Sequence, residues 1–172
     1  EALYTNSPRG KILFYKSLFS NPKLIGENRN HIPRQDILAY GLRNPWQTFE
    51  YKNLLFIPDI GNTTQEELNI VNLDDFEINN NEPFLFGWPV YEGTLRNTYK
   101  YTEVSLWEQD IKKNATEYII EKSSSPVIYY NHDSPDTYRA ALIGGVVISD
   151  QESLYYEHYI FAEYFAKEIY AY

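Results

Sequence analysis

The sequence has 172 residues, enough for one domain with a real hydrophobic core, and its net charge of −9 shows no basic run, which excludes a general nucleic-acid role. No apolar run approaches the roughly 20 residues that a membrane-spanning helix needs. There is no Cys to report on the redox compartment and no Met, so the opening Glu1-Ala2-Leu3 is expected to follow a removed segment, whether signal peptide, tag or larger N-terminal region; the 17 Tyr, 9 Phe and 3 Trp favour pleated, half-buried surfaces.

The first predicted strand is Lys11-Ile12-Leu13-Phe14-Tyr15, entered by Pro8-Arg9-Gly10. Asn21-Pro22 and Asn28-Arg29-Asn30 read as turns, and 36–41 as a short buried strand. Phe49 and Tyr51 alternate with Thr48 and Glu50, Lys52-Asn53 can turn the chain, and Leu54 to Ile57 returns as the partner strand. Glu67 to Val71 alternates with period two, and the acidic, Asn-rich stretch 74–82 is expected to be a loop. Phe84 to Tyr91 carries the bend Gly87-Trp88-Pro89, and 105–122 reads as a short helix inside an excursion. Val127 to Tyr130 and Ala141 to Ile148 are predicted strands, the second broken by Gly144-Gly145, which marks a bulge or a close backbone approach. The aromatic tail from Tyr155 fits either an amphipathic helix or a hairpin around Phe165-Ala166-Lys167, and the many short strands elsewhere favour the hairpin. Short strands without βαβ alternation predict an all-β sandwich or propeller.

Five stretches in one order carry a resemblance. Gly41-Leu42-Arg43-Asn44-Pro45-Trp46 comes first, then Asp59-Ile60-Gly61-Asn62 with Glu66-Glu67-Leu68-Asn69, and then Gly87-Trp88-Pro89-Val90-Tyr91-Glu92-Gly93. Ile143-Gly144-Gly145-Val146-Val147 and Tyr159-Ile160-Phe161-Ala162-Glu163-Tyr164 complete the series. Together they resemble the PQQ-dependent soluble glucose and aldose sugar dehydrogenases, also called glucose/sorbosone dehydrogenases. The resemblance implies a β-propeller of four-stranded antiparallel blades. Residues 1–172 would form a single partial propeller domain, roughly the second half of six blades, with 94–125 as a variable insertion.

It also implies chemistry. In that family a PQQ quinone takes a hydride from an aldose, Ca²⁺ polarises the quinone carbonyl and a His acts as general base. Arg43 matches the arginine beside the quinone and is the candidate catalytic residue. Arg43 and Asn44 match cofactor-contacting positions, and Gly61 and Asn62 match positions whose main-chain carbonyls bind Ca²⁺. None of His31, His132 and His158 matches the general base, which the family carries in its N-terminal half. The cofactor lysine falls near Phe165, with Lys167 close by, and the clamping arginines fall past Tyr172. The chain alone is therefore not expected to be a competent enzyme. A second chain or a homodimer would complete the propeller, and the family points to a periplasmic or extracellular location. The other reading is a non-catalytic recognition module, since the hedgehog-interacting protein carries a similar propeller.

Each candidate also has a structural reading. Arg43-Asn44-Pro45 can hold a blade corner. Glu66 and Glu67, adjacent on a strand, point to opposite faces and so do not form a catalytic carboxylate pair. Asp74 and Asp75 lack the spacing of a calcium loop, His132 reads as a satisfied structural histidine, and Asn62-Thr63-Thr64 and Asn114-Ala115-Thr116 match glycosylation acceptors by chance in an Asn-rich chain.

Overall fold

A computed structural model describes residues 10–13, 37–78, 82–96, 117–132 and 138–172. Its strands are β1 (Lys11–Leu13), β2 (Ile37–Tyr40), β3 (Phe49–Tyr51), β4 (Leu54–Asp59), β5 (Gln65–Asn72), β6 (Phe84–Leu85), β7 (Tyr91–Glu92), β8 (Leu95–Arg96), β9 (Ile128–Asn131), β10 (Leu142–Val147), β11 (Tyr159–Glu163) and β12 (Glu168–Ala171). A short helix, α1 (Leu73–Ile78), follows β5.

The central sheet has the order β3-β4-β5-β9 and is antiparallel throughout. Its hairpin turns on Lys52 and Asn53, both with positive φ (49° and 62°), as a two-residue turn between right-twisted strands requires. On one side lies the sheet β1-β2-β6, on the other the sheet β10-β11-β12.

The apolar run of β4 follows from burial on both faces. Leu55, Ile57 and Val71 enter one core with Leu38, Ala39, Leu42, Phe76 and Phe86. Phe56 and Leu68 face the other way, into a second core with Leu142, Val147, Tyr159 and Phe161. Phe56 stacks on Tyr159 with ring centroids 4.4 Å apart. Layered sheets that share cores on both faces are the packing of propeller blades.

The tail is a hairpin, β11 with β12, joined in register from Ile160↔Ala171 to Glu163↔Glu168. The β10–β11 register shifts between Ile143 and Val146, so Gly144-Gly145 is a bulge. Two expectations are corrected. The start of the 74–82 stretch is not loop but helix α1: Asn72 Oδ1 accepts the Asp74 N–H (3.0 Å), Asp74 and Asp75 lie in the first turn, and Phe76 is driven into the core. The sheets are not wholly antiparallel either, because β6 joins β2 in parallel after the excursion through β3 to α1. Within 94–125, residues 117–122 are helical and Ile119 is buried. Asn114-Ala115-Thr116 and His31 lie outside the described residues.

Candidate functional site

Three of the sequence stretches converge on one corner, at the end of β4. The chain leaves β2 at Gly41, where φ is +75° and an added Cβ would lie 2.3 Å from the Phe86 carbonyl oxygen. That close approach lets the Gly41 carbonyl accept the Trp88 N–H (2.8 Å), which ties the Gly87-Trp88-Pro89 bend to the segment carrying Arg43. Trp46 N–H donates to Pro58 O (2.9 Å) and Ile60 N–H to Asn44 O (3.2 Å), so residues 44–46 run antiparallel to the end of β4.

Buried Asp59 holds the turn in place. Its two carboxylate oxygens accept the backbone N–H groups of Arg43 (2.8 Å) and Asn44 (2.6 Å). Across the β4–β5 ladder it faces Glu67. Burial, and then the Glu67 charge, push the Asp59 carboxyl well above the usual carboxylate range. Burial raises Glu67 as well, and a hydrogen bond links the two side chains.

The half-buried Arg43 side chain crosses the next loop. Nη1 donates to Ile60 O (2.9 Å) and Gly61 O (2.7 Å), and Nη2 donates to Asn62 Oδ1 (3.1 Å). The guanidinium carbon lies 5.7 Å from the centroid of the Trp88 ring, within cation–π range. A guanidinium carries five N–H donors; the Nε–H and one Nη2–H take no partner among the described residues.

The loop after β4 wraps around a carboxylate from β7. Glu92 Oε1 accepts the N–H groups of Asn62, Thr63 and Thr64 (each 2.7 Å) and of Gln65 (3.2 Å). Burial works to raise this carboxyl, but the N–H groups of Thr64, Thr63, Asn62 and Gln65 together outweigh it, leaving it below the usual range. Glu92 Oε2 is buried without a partner.

Glu66 and Glu67 do point to opposite sides. Glu66 accepts from Gly61 N (3.2 Å) and Leu142 N (3.0 Å), and its Oε1 lies 2.6 Å from His132 Nε2. Since Glu66 already acts as an acceptor there, Nε2 is the donor, and the buried His132 is committed to this contact. Glu67 accepts from Gly93 N (2.8 Å) and Asn69 Nδ2 (2.9 Å). His158 Nδ1 lies 3.0 Å from Tyr156 O on an exposed turn. Lys167 lies in the β11–β12 turn (φ 58°), beside Tyr164 and Phe165.

The four predicted site residues, Arg43, Asn44, Gly61 and Asn62, thus meet in one place, and Asp59, Trp88 and Glu92 join them. A calcium ion does not fit this arrangement. Of the two expected carbonyl ligands, Gly61 O already accepts from Arg43, Asn62 turns its side-chain oxygen to the same guanidinium, and no group of three or more metal-ligating side chains occurs among the described residues. A quinone oxygen or carboxylate does fit, because Arg43 keeps donors to offer and the Asn44 side chain is exposed.

The comparisons agree with this architecture. No protein-family model matches the chain. The solved structure of the PQQ-bound aldose sugar dehydrogenase from Streptomyces coelicolor superimposes with a TM-score of 0.51, at 17% identity, over 94% of this chain and 34% of that one. The chain is a partial β-propeller. In sequence it is 26% identical to the HIPL2 protein of Arabidopsis thaliana over 159 residues, which are 89% of this chain and 20% of that protein. The chain therefore spans about a fifth of that relative and about a third of the Streptomyces chain.

Proposed function

We propose that the chain is part of a propeller oxidoreductase that oxidises an aldose with a PQQ-type quinone, and that the corner around Arg43 is its share of the cofactor site. The observation that carries this reading is the Arg43 guanidinium, anchored on Ile60 O and Gly61 O with two N–H donors still unused. The quinone, when bound, supplies the hydride acceptor. Arg43 would hold one of its oxygens by a charge-assisted hydrogen bond, and Asn44, exposed next to it, would add a neutral one. Trp88 stacks on the guanidinium and limits its swing. Among the described residues His132 is committed to Glu66 and His158 lies on an exposed turn, so neither is assigned the sugar's proton. No step is assigned to calcium. An extracellular or periplasmic site of action belongs to the same proposal; among the described residues no helix is long and apolar enough to cross a membrane.

The test is a titration of the full chain with PQQ, read by quenching of tryptophan fluorescence. Saturable quenching is expected. Arg43→Ala should weaken uptake by about tenfold or more, the loss that goes with one charge-assisted hydrogen bond.

A second reading, a non-catalytic recognition module, draws on a different observation. The last sheet carries an open groove of about 490 Å³ in which Ile143, Tyr164, Phe165 and Ile169 lie beside the charged Glu163, Lys167 and Glu168. Absence of quenching at millimolar PQQ would move the assignment to that reading.

A further inference from the structure

We infer that Arg43 is the resident cation of this corner: its guanidinium takes the Gly61 carbonyl, one of the two carbonyls expected to hold Ca²⁺, together with Ile60 O and Asn62 Oδ1, so the 60–62 loop is organised without a metal. The inference stands apart from the quinone reading, and its test contains no quinone.

The acceptors come first. Ile60 O, Gly61 O and Asn62 Oδ1 converge on the guanidinium at 2.9, 2.7 and 3.1 Å. Ca²⁺ gathers six to eight oxygens at about 2.3–2.6 Å. An ion taking the Gly61 oxygen at that distance would compete for the space held by Nη1, and two cations so close repel each other.

The neighbouring carboxylates are also committed. Asp59 accepts from Arg43 N and Asn44 N, Glu66 from Gly61 N and Leu142 N, and Glu67 from Gly93 N and Asn69 Nδ2. Glu92 spends Oε1 on four backbone N–H groups, and only its Oε2 is left without a partner among the carboxylates of this corner. Each acid caps backbone donors instead of lining an ion cavity. The fixed positive charge that the loop carbonyls require is supplied covalently, by Arg43.

Two measurements on the full chain test this. The first is thermal melting with Ca²⁺ and with a chelator. A real site with a Kd of about 50 μM would raise Tm by on the order of 5–10 °C in about 5 mM Ca²⁺. The expected shift is under about 1 °C. The second is Tb³⁺ luminescence sensitised by Trp88, in the wild type, in Arg43→Ala and in Arg43→Lys. Removing the guanidinium frees three neutral oxygens, too few by themselves for a six- to eight-oxygen site, so Arg43→Ala is expected to gain only a weak Ca²⁺-competed Tb³⁺ signal over the wild type. Arg43→Lys, which keeps a cation, should not. A wild-type Tm raised by Ca²⁺, or a wild-type Tb³⁺ signal that Ca²⁺ competes away, overturns the inference. If Arg43→Ala fails to fold, the wild-type melting experiment decides alone.

Discussion

Asp59 shows what a single buried carboxyl does in this corner. It is only 2% exposed, it fixes the backbone of Arg43 and Asn44, and it faces Glu67 across the β4–β5 ladder. Because burial raises both groups, the folded chain binds more protons here than the unfolded chain does. Stability from this pair is therefore complete at pH values below the ordinary carboxylate range and is lost as pH rises through the raised value. Arg43 and Glu66 are the other charged groups acting on the pair. Glu92 runs the opposite way: held below its ordinary value, it contributes stability above that value and loses it as pH falls through the depressed one. Glu67→Gln removes the like charge facing Asp59 and is expected to flatten the fall in Tm on the alkaline side, as followed by circular dichroism melts from about pH 4 to 9. Parallel curves for the two proteins would mean that Glu67 does not raise the Asp59 carboxyl. At this scale the sequence was partly legible. The stretches that hold Arg43, Asn44, Gly61 and Asn62 do meet. Asp59, Trp88 and Glu92 lie inside the same stretches, yet nothing in linear spacing says that Glu92 fills a loop 30 residues before it. Nor does it say that Arg43 would turn to the Gly61 carbonyl.

The elements depend on a few backbone positions that tolerate no side chain. A Cβ on Gly145 would lie 1.6 Å from the Ile160 carbonyl oxygen, inside the β10–β11 ladder. The Gly145 N–H also donates to the Tyr159 hydroxyl (2.8 Å), and Tyr159 stacks on Phe56 in the core shared with the central sheet. Gly145→Ala must therefore move backbone and loosen that stack, and a cost of about 3 kcal/mol or more is expected by denaturant unfolding. Val146→Ala, at an exposed neighbour, should cost less than about 1 kcal/mol; equal costs at the two positions would refute the backbone argument. The bulge was readable because two glycines in a strand pattern have few other uses. The β3–β4 hairpin and the tail hairpin were readable because turn residues separate short apolar runs. Helix α1 was not, since six residues are too few to show a helical period, and its signals, Asn72 as cap and Asp74 and Asp75 in the first turn, also suit a polar loop. The parallel pairing of β6 with β2 depends on contacts across some 45 residues, which local pattern does not encode.

At the scale of the molecule, the last sheet packs one face on the central sheet and presents an aliphatic face on the other side. Leu142, Val147, Tyr159 and Phe161 face the central sheet. By the β10–β11–β12 register, Ile143, Val146, Ile160, Ala162, Ile169 and Ala171 share the other face. A sheet face turned to water is normally polar; this one is wholly aliphatic, with Ile169 76% exposed and Val146 49% exposed. Faces of this kind are covered in a closed propeller by the next blade, and the matched stretch of the Streptomyces enzyme is 34% of its chain. In a solution of this chain alone, the apolar surface available to cover it is the same face of a second copy. Concentration-dependent dimerisation is therefore expected by sedimentation, with the exposed hairpin at its centre. The net charge of −9 opposes the approach of two copies, so association should strengthen with salt. Ile169→Lys sets a charge in the contact and should weaken the dimer by about tenfold or more. A chain that stays monomeric at about 100 μM and high salt would refute the pairing, and a dimer indifferent to Ile169→Lys would place the contact elsewhere.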